Sequence, residues 1–265
     1  MQSIYNSTEG LKVTYFLGAG ASYNALPIWA NQGRSMVLLA GEILFMIQGQ
    51  STDEFKRDFQ KVYGNKKLIS FFEKLKEFGE LALQYGSIDI YARRLYLLNK
   101  KEELNILKHT LSVYFDLWES FYHRKIRVPD SFSYDKIDKR YYSLFSILLE
   151  KSNAPKLNNN VSFITWNYDL QLEKSYESFL EKEAHSIQDI NESFRFMDDI
   201  SSVKPKRDVY HLNGFRGFFS NEKEQYENVE KSKCSSIEDY LKEALTLAFG
   251  KEKMKNVVIN IREKK

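Results

Sequence analysis

The 265 residues suffice for one large domain, or a core domain carrying an inserted lobe; 43% hydrophobic residues, with 19 Phe and 17 Tyr, exclude wholesale disorder. A net charge of +3 from 39 basic and 36 acidic residues is too balanced for a nucleic-acid footprint, and a lone cysteine, Cys234, excludes a disulfide framework or cysteine-based zinc ribbon within one chain. The first residues, MQSIYNSTEG, lack the basic-then-apolar layout of a signal peptide, and no apolar run approaches a membrane span, so a soluble, cytoplasmic protein is expected.

The first predicted element is a buried strand, Val13 to Leu17, running straight into Gly18-Ala19-Gly20-Ala21-Ser22. Small residues there let the backbone turn sharply and approach a ligand, and amides opening a following helix can point at a phosphate. The same turn can also be a tight corner packed under a helix. Tyr23 to Pro27 reads as a loop that delivers Trp29, either over a ligand or, the preferred reading, as a plug at the base of the lobe. Met36, Val37, Leu39, Ala40, Ile43, Leu44 and Ile47 recur at helical spacing and predict a helix from about Arg34 to Gln48.

Between about 50 and 150 the texture becomes long, charged and amphipathic, which predicts a helical lobe inserted between the first strand and the next. Its helices are expected over Glu54–Tyr63, capped by Thr52 or Asp53, then Leu68–Tyr85, Ile88–Leu98 and Leu104–Tyr122, ending at the Pro129-Asp130-Ser131 turn. Another helix is expected over Tyr141–Lys151. Ser87 reads as a helix N-cap with Asp89 in the first turn, and capping accounts for both without a ligand.

After the polar turn Asn158-Asn159-Asn160, the run Val161 to Thr165 (VSFIT) predicts a strand buried on both faces. It closes in Trp166-Asn167-Tyr168-Asp169 ahead of a helix marked by Leu170, Leu172, Tyr176 and Phe179. Polar groups at the carboxyl end of a parallel strand sit where open α/β sheets bind ligands. A cap explains Asp169 but not Asn167. Asp208 to Leu212 is a second such strand, ending in His211-Leu212-Asn213-Gly214; Ser235–Phe249 is an amphipathic helix, and Asn256–Ile261 a last candidate strand. The basic residues from Lys251 to Lys265 read as a solvated tail rather than a phosphate-binding patch.

FLGAGAS, ITWNYD and YHLNG, in that order, resemble the sirtuin-like family, specifically its zinc-free, NAD-consuming branch in bacterial anti-phage defence. There the patterns are a GAGxS turn, a T-x-N-x-D segment closing a strand, and a strand ending in His-Gly. A segment like SIDIYA also occurs in the lobe of such proteins. The resemblance implies an α/β fold, a Rossmann-like parallel sheet with the helical lobe at about 50–150, forming a single domain over 1–265. It implies that Gly18, Ala19, Gly20, Ala21 and Ser22 hold the NAD diphosphate, that Asn167 stands beside the nicotinamide ribose, and that Asp169 braces the loop. NAD is then a substrate and no cofactor or metal is expected. Breaking the nicotinamide N-glycosidic bond develops oxocarbenium character, so such a site needs polar groups fixed around the sugar more than a strong nucleophile.

The chain departs from the family pattern at the third motif. Asn213 occupies the His-Gly position and His211 falls two residues earlier, on the same strand face, from which it can still approach the pocket as a base. Otherwise the base is missing and catalysis rests on Asn167 and desolvation. Relatives also continue with a glycine- or serine-rich strand end that touches adenosine, whereas REKK follows NVVINI here. Two expectations result: an NAD glycohydrolase acting as the toxic effector of a defence complex, or a catalytically silent NAD- or ADP-ribose-binding regulatory subunit. Deacylation fails for want of the four-cysteine zinc module. A separate sensor or activator protein, or a homo-oligomer, is the expected partner; nucleic acid and membrane are not.

Overall fold

The computed structural model describes residues 11–48, 66–119, 134–151, 155–180, 187–197, 207–220, 226–228, 237–246 and 256–257. It is a mixed α/β protein around a small parallel sheet of three strands, β1 (Val13–Leu17), β4 (Val161–Thr165) and β5 (Val209–His211), in that order. Helices α1 (Trp29–Gln48), α2 (Lys66–Tyr85), α3 (Ile88–Leu97) and α4 (Lys101–Leu117) lie between β1 and β4 in the chain. So do α5 (Lys139–Leu148) and the short hairpin of β2 (Leu149–Glu150) and β3 (Lys156–Leu157). Helices α6 (Gln171–Glu177) and α7 (Ile187–Ser193) connect β4 to β5. Strands β6 (Phe218–Ser220), β7 (Tyr226–Asn228) and β8 (Asn256–Val257) form a separate antiparallel sheet, and α8 (Ile237–Leu245) precedes β8.

The apolar side chains separate into two clusters. One joins α1 to α4 with Tyr240 and Leu241 of α8; the other joins one face of the parallel sheet to α5, α6 and α7. In the second, Phe163 of β4 meets Phe145 and Phe194 edge-on, and Tyr176 stacks on Phe194 at 4.6 Å between ring centroids. Helices α1 and α2 approach closely where Gly33 faces Gly79: a Cβ on Gly79 would stand 2.8 Å from the Gly33 carbonyl oxygen. No helix among the described residues is long and apolar enough to cross a membrane.

β4 is not buried on both faces. Val161, Phe163 and Thr165 are buried, whereas Ser162 and Ile164 are half-exposed, and Phe16 and Tyr210, which flank Ile164 in register, are 66% and 39% exposed. The polar pair Thr14–Ser162, hydroxyl to hydroxyl at 3.0 Å, lies on that open face. Helix α1 begins at Trp29 rather than near Arg34, because the Ile28 carbonyl already accepts the Asn31 and Gln32 amides. Helix α5 begins at Lys139, capped by the Asp138 carboxylate on the Arg140 amide, and gives way to β2 before Lys151. Ser87 caps α3 as its sequence suggests, accepting the Ile90 amide at 3.2 Å. The expected helix 54–63, the 129–131 turn, Cys234 and most of the basic end lie outside the described residues.

Candidate functional site

Parallel strands finish at one edge of their sheet. Leu17, Thr165 and His211 stand in one register row, so the glycine turn, the WNYD segment and the HLNG corner, far apart in sequence, emerge side by side. They border a cleft of about 210 Å³. Gly18, Ala19 and Ser22 line it from the first motif, Trp166 to Asp169 from the second, and Asn213 from the third. Leu26, Pro27 and Ile28 ahead of α1, Trp29 and Gln32 of α1, Asp89 of α3 and Phe115 of α4 complete the wall.

Asn167 is the most heavily tied residue of the edge. Its backbone amide donates to Thr165 Oγ1 at 3.0 Å, and its Nδ2 donates to the Gly18 carbonyl at 3.1 Å and to Ser22 Oγ at 3.3 Å. Ser22 in turn donates to Asp169 Oδ1 at 3.0 Å and lies 3.2 Å from the Tyr141 hydroxyl. The serine hydroxyl is therefore engaged within the protein, linking the first two motifs. Asp169 also accepts the Gln171 amide at 3.1 Å. Burial, together with the charges of Glu119 and Glu173, pushes the Asp169 carboxyl up to about 7, against the pull of those two hydrogen bonds.

The glycine turn folds as a short 3-10 segment, Ala19–Ser22. Gly20 and Ala21 do not line the cleft; their carbonyls accept from Arg140 Nη2 at 2.8 and 3.4 Å, and Asp138 fixes the guanidinium through Nε and Nη2. Neither Gly18 nor Gly20 has a positive φ, and a Cβ on either would meet nothing within 4 Å. Backbone strain and packing within the described residues therefore give no reason for glycine at these positions. At Gly18, which lines the cleft, a ligand approaching the backbone closely would supply one.

His211 is placed otherwise than a base requires. Its side chain is 3% exposed and outside the cleft wall, with Nε2 at 2.7 Å from Glu173 Oε1 and Nδ1 at 3.3 Å from the Asn167 carbonyl oxygen. Both partners are acceptors, which suits an imidazolium donating from both nitrogens. Burial alone would lower its pKa, but Glu173 and the Asn167 carbonyl raise it above the ordinary histidine range. His211 thus struts the Asn167 loop. Asn213 meets the same loop from the other motif, its Nδ2 donating to the Trp166 carbonyl at 3.0 Å.

Beneath the loop lies a buried charge network that the sequence did not announce. Arg216, fully buried, pairs with Asp116 of α4 and with Glu119, and the Tyr240 hydroxyl bonds Asp116. Glu119 also accepts the Leu170 amide at 3.2 Å and Gln171 Nε2 at 2.7 Å. Burial would raise the Glu119 carboxyl, but Arg216 and Lys174 hold it at about 2, so it stays charged. Asp89, beyond its place in the first turn of α3, receives the Tyr168 hydroxyl at 3.4 Å. No group of three or more His, Cys, Asp or Glu among the described residues is arranged to hold a metal ion. Gln32, Asp138, Arg140, Glu119 and Glu173 were missed by reading motifs; only Asp138, a capping residue before a helical run, carried a local signal.

Compared with protein-family models, curated proteins and solved structures, the chain matches none.

Proposed function

We propose that the cleft is the nicotinamide-ribose site of an NAD glycohydrolase, which cleaves NAD to nicotinamide and ADP-ribose, and that the fold is a Rossmann-like core with α1 to α4 as its inserted lobe. The observation that supports this best is the direct bonding of the motifs at one sheet edge: Asn167 to Gly18 and Ser22, and Ser22 to Asp169. Pockets for drug-sized ligands span about 300–1,000 Å³. A cleft of about 210 Å³ suits one end of a dinucleotide, with the diphosphate leaving past Gly18.

In this reading, Asn167 Nδ2 is spent on Gly18 and Ser22, so its Oδ1 is left to accept a ribose hydroxyl. The glycosidic electron pair departs with the pyridinium nitrogen, which it neutralises; water forms the new bond to the anomeric carbon, and its proton passes to the Asp169 carboxylate. An acid near neutrality is matched to that transfer, which typically contributes about 10²–10⁴-fold. His211 holds the loop and takes no proton from substrate. The alternative, a silent NAD- or ADP-ribose-binding regulatory subunit, is favoured by one observation, the engagement of both His211 ring nitrogens.

Mass spectrometry of NAD, nicotinamide and ADP-ribose separates the two. The glycohydrolase releases both products, and Asn167→Ala lowers turnover by about 10²–10³-fold, the usual cost of losing one fixed polar group around a charged transition state. Binding of NAD with no product, with or without a co-expressed partner, would establish the silent subunit instead. We assign the hydrolase to a toxic effector in anti-phage defence, gated by a separate sensor protein. That assignment requires that its activation deplete cellular NAD and that Asn167→Ala abolish the depletion.

A further inference from the structure

The two halves of the glycine turn are held by different partners. In the first half the Gly18 carbonyl accepts the Ala21 amide at 2.9 Å and Asn167 Nδ2 at 3.1 Å. In the second half the turn's own hydrogen bond is slack, because the Tyr23 amide stands 3.5 Å from the Gly20 carbonyl oxygen, beyond the usual range. The close partner of that oxygen is Arg140 Nη2 at 2.8 Å, which also reaches the Ala21 carbonyl at 3.4 Å. Gly20 lacks a Cβ, so the peptide unit after it turns easily unless something holds it.

Arg140 is itself fixed. Its side chain is 56% exposed, and an exposed ion pair ordinarily fixes little, but the carboxylate opposite it is fully buried. Asp138 takes Nε at 2.9 Å and Nη2 at 2.6 Å on separate oxygens, a forked pair that leaves the second Nη2 hydrogen for the two carbonyls. Asp138 also accepts the Asn24 amide at 3.0 Å, where the chain leaves the turn, and donates its own amide to Gln171 Oε1 at 3.0 Å. Burial alone would raise this carboxyl, yet the hydrogen bonds from Arg140 and the Asn24 amide hold it below the ordinary aspartate range, so the pair stays charged. We propose that Arg140 is the positioning residue of the glycine turn, keeping the Gly20 and Ala21 carbonyl oxygens turned out of the cleft so that the turn stays receptive to a phosphate-bearing ligand. A carbonyl swung inward would set its partial negative charge against the anion. The guanidinium does not line the cleft, so it acts through the backbone and not by touching the ligand. The inference rests on the reading above, in which the diphosphate passes Gly18, and adds what holds the turn in its binding form.

The test uses the full chain, with ADP-ribose as the calorimetric probe, NAD in the turnover assay and amide hydrogen exchange across residues 18–22. Arg140→Lys keeps a cation on the buried carboxylate, and so the fold, but cannot grip both carboxylate oxygens and the two carbonyls at once. The double variant Asp138→Asn/Arg140→Leu removes the pair together, leaves no buried charge unmatched and keeps a helix cap. Both should weaken ADP-ribose about tenfold, the scale of one hydrogen bond from a charged group, and speed exchange in the turn. The KM for NAD should rise by a similar factor while kcat stays within about twofold, the mark of lost binding rather than lost chemistry. Wild-type affinity in Arg140→Lys would make charge, not positioning, responsible and overturn the proposal. So would unchanged exchange in the turn, a kcat that falls as far as KM rises, or a wild type that does not bind ADP-ribose. Binding of ADP-ribose that depends on Arg140, without NAD cleavage, would uphold the positioning role and sink the glycohydrolase. NAD cleavage with a KM untouched by either variant would do the reverse.

Discussion

Gly18→Ala separates a glycine kept for a ligand from a glycine kept for the fold. Gly18 has φ −107° and ψ −175°, extended backbone that any residue adopts, and its added Cβ would meet nothing within 4 Å. The substitution therefore strains nothing, and by restricting the unfolded chain it should stabilise the protein by about 0.4–1 kcal/mol. For a chain of this size that is a rise in melting temperature of about 1–4 °C. The bound state responds differently, because Gly18 lines the cleft and the new methyl would stand in its wall. Crowding by one methyl in a close contact costs about 1–3 kcal/mol, which is roughly a 5- to 150-fold weaker NAD affinity. Thermal melting and NAD titration on one preparation read both quantities. Unchanged NAD affinity in a variant at least as stable as the wild type would refute the claim that glycine is there for the ligand; a fall of several degrees would refute the structural account of the turn.

Gly79→Ala is the opposite case: its Cβ would lie 2.8 Å from the Gly33 carbonyl oxygen and 2.9 Å from Val37 Cγ2, so thermal melting should show a loss of about 1–3 kcal/mol. Asp169→Asn should change the dependence of stability on pH. The folded carboxyl, at about 7, binds its proton more tightly than the unfolded one, so its contribution is full below about pH 4 and is lost as pH rises through about 7, a change on the order of 4 kcal/mol. Urea midpoints taken from pH 4 to 8 should therefore fall with pH in the wild type and flatten in the variant; His211, whose raised pKa acts in the same direction, leaves a residual slope in both.

The sequence revealed the strand ends because turn chemistry is local. Glycines after VTYFL and the Asn-Gly after the YHL segment mark where the chain must leave the sheet, and parallel pairing then brings those exits together. The boundaries of β1 and β4 were legible for the same reason. The start of α1 was not, since nothing local shows that the Ile28 carbonyl will accept two amides. The supporting charges were less legible still. Glu173 meets His211 across 38 residues and Arg216 meets Glu119 across 97, and each of these side chains would read as a solvated helix or loop position if taken alone. Gln32 was hidden similarly: a glutamine in a helix declares neither its face nor that its Nε2 finds no hydrogen-bond partner among the described residues.

In the proposed hydrolase, these hidden partners change which residue of the edge carries the chemistry. A histidine near a glycine corner reads as a base, yet a base must have a free nitrogen, and Glu173 with the Asn167 carbonyl occupies both of this one's. The same contacts make Asn167 rigid: its amide is held by Thr165, its carbonyl by His211 and its Nδ2 by Gly18 and Ser22, so all three strand ends grip one residue. A transition state that develops charge on a sugar is stabilised by groups that need not reorganise. Fixing Asn167 from three sides supplies that condition. In the proposed hydrolase it leaves proton transfer to Asp169, whose carboxyl burial pushes up to about 7.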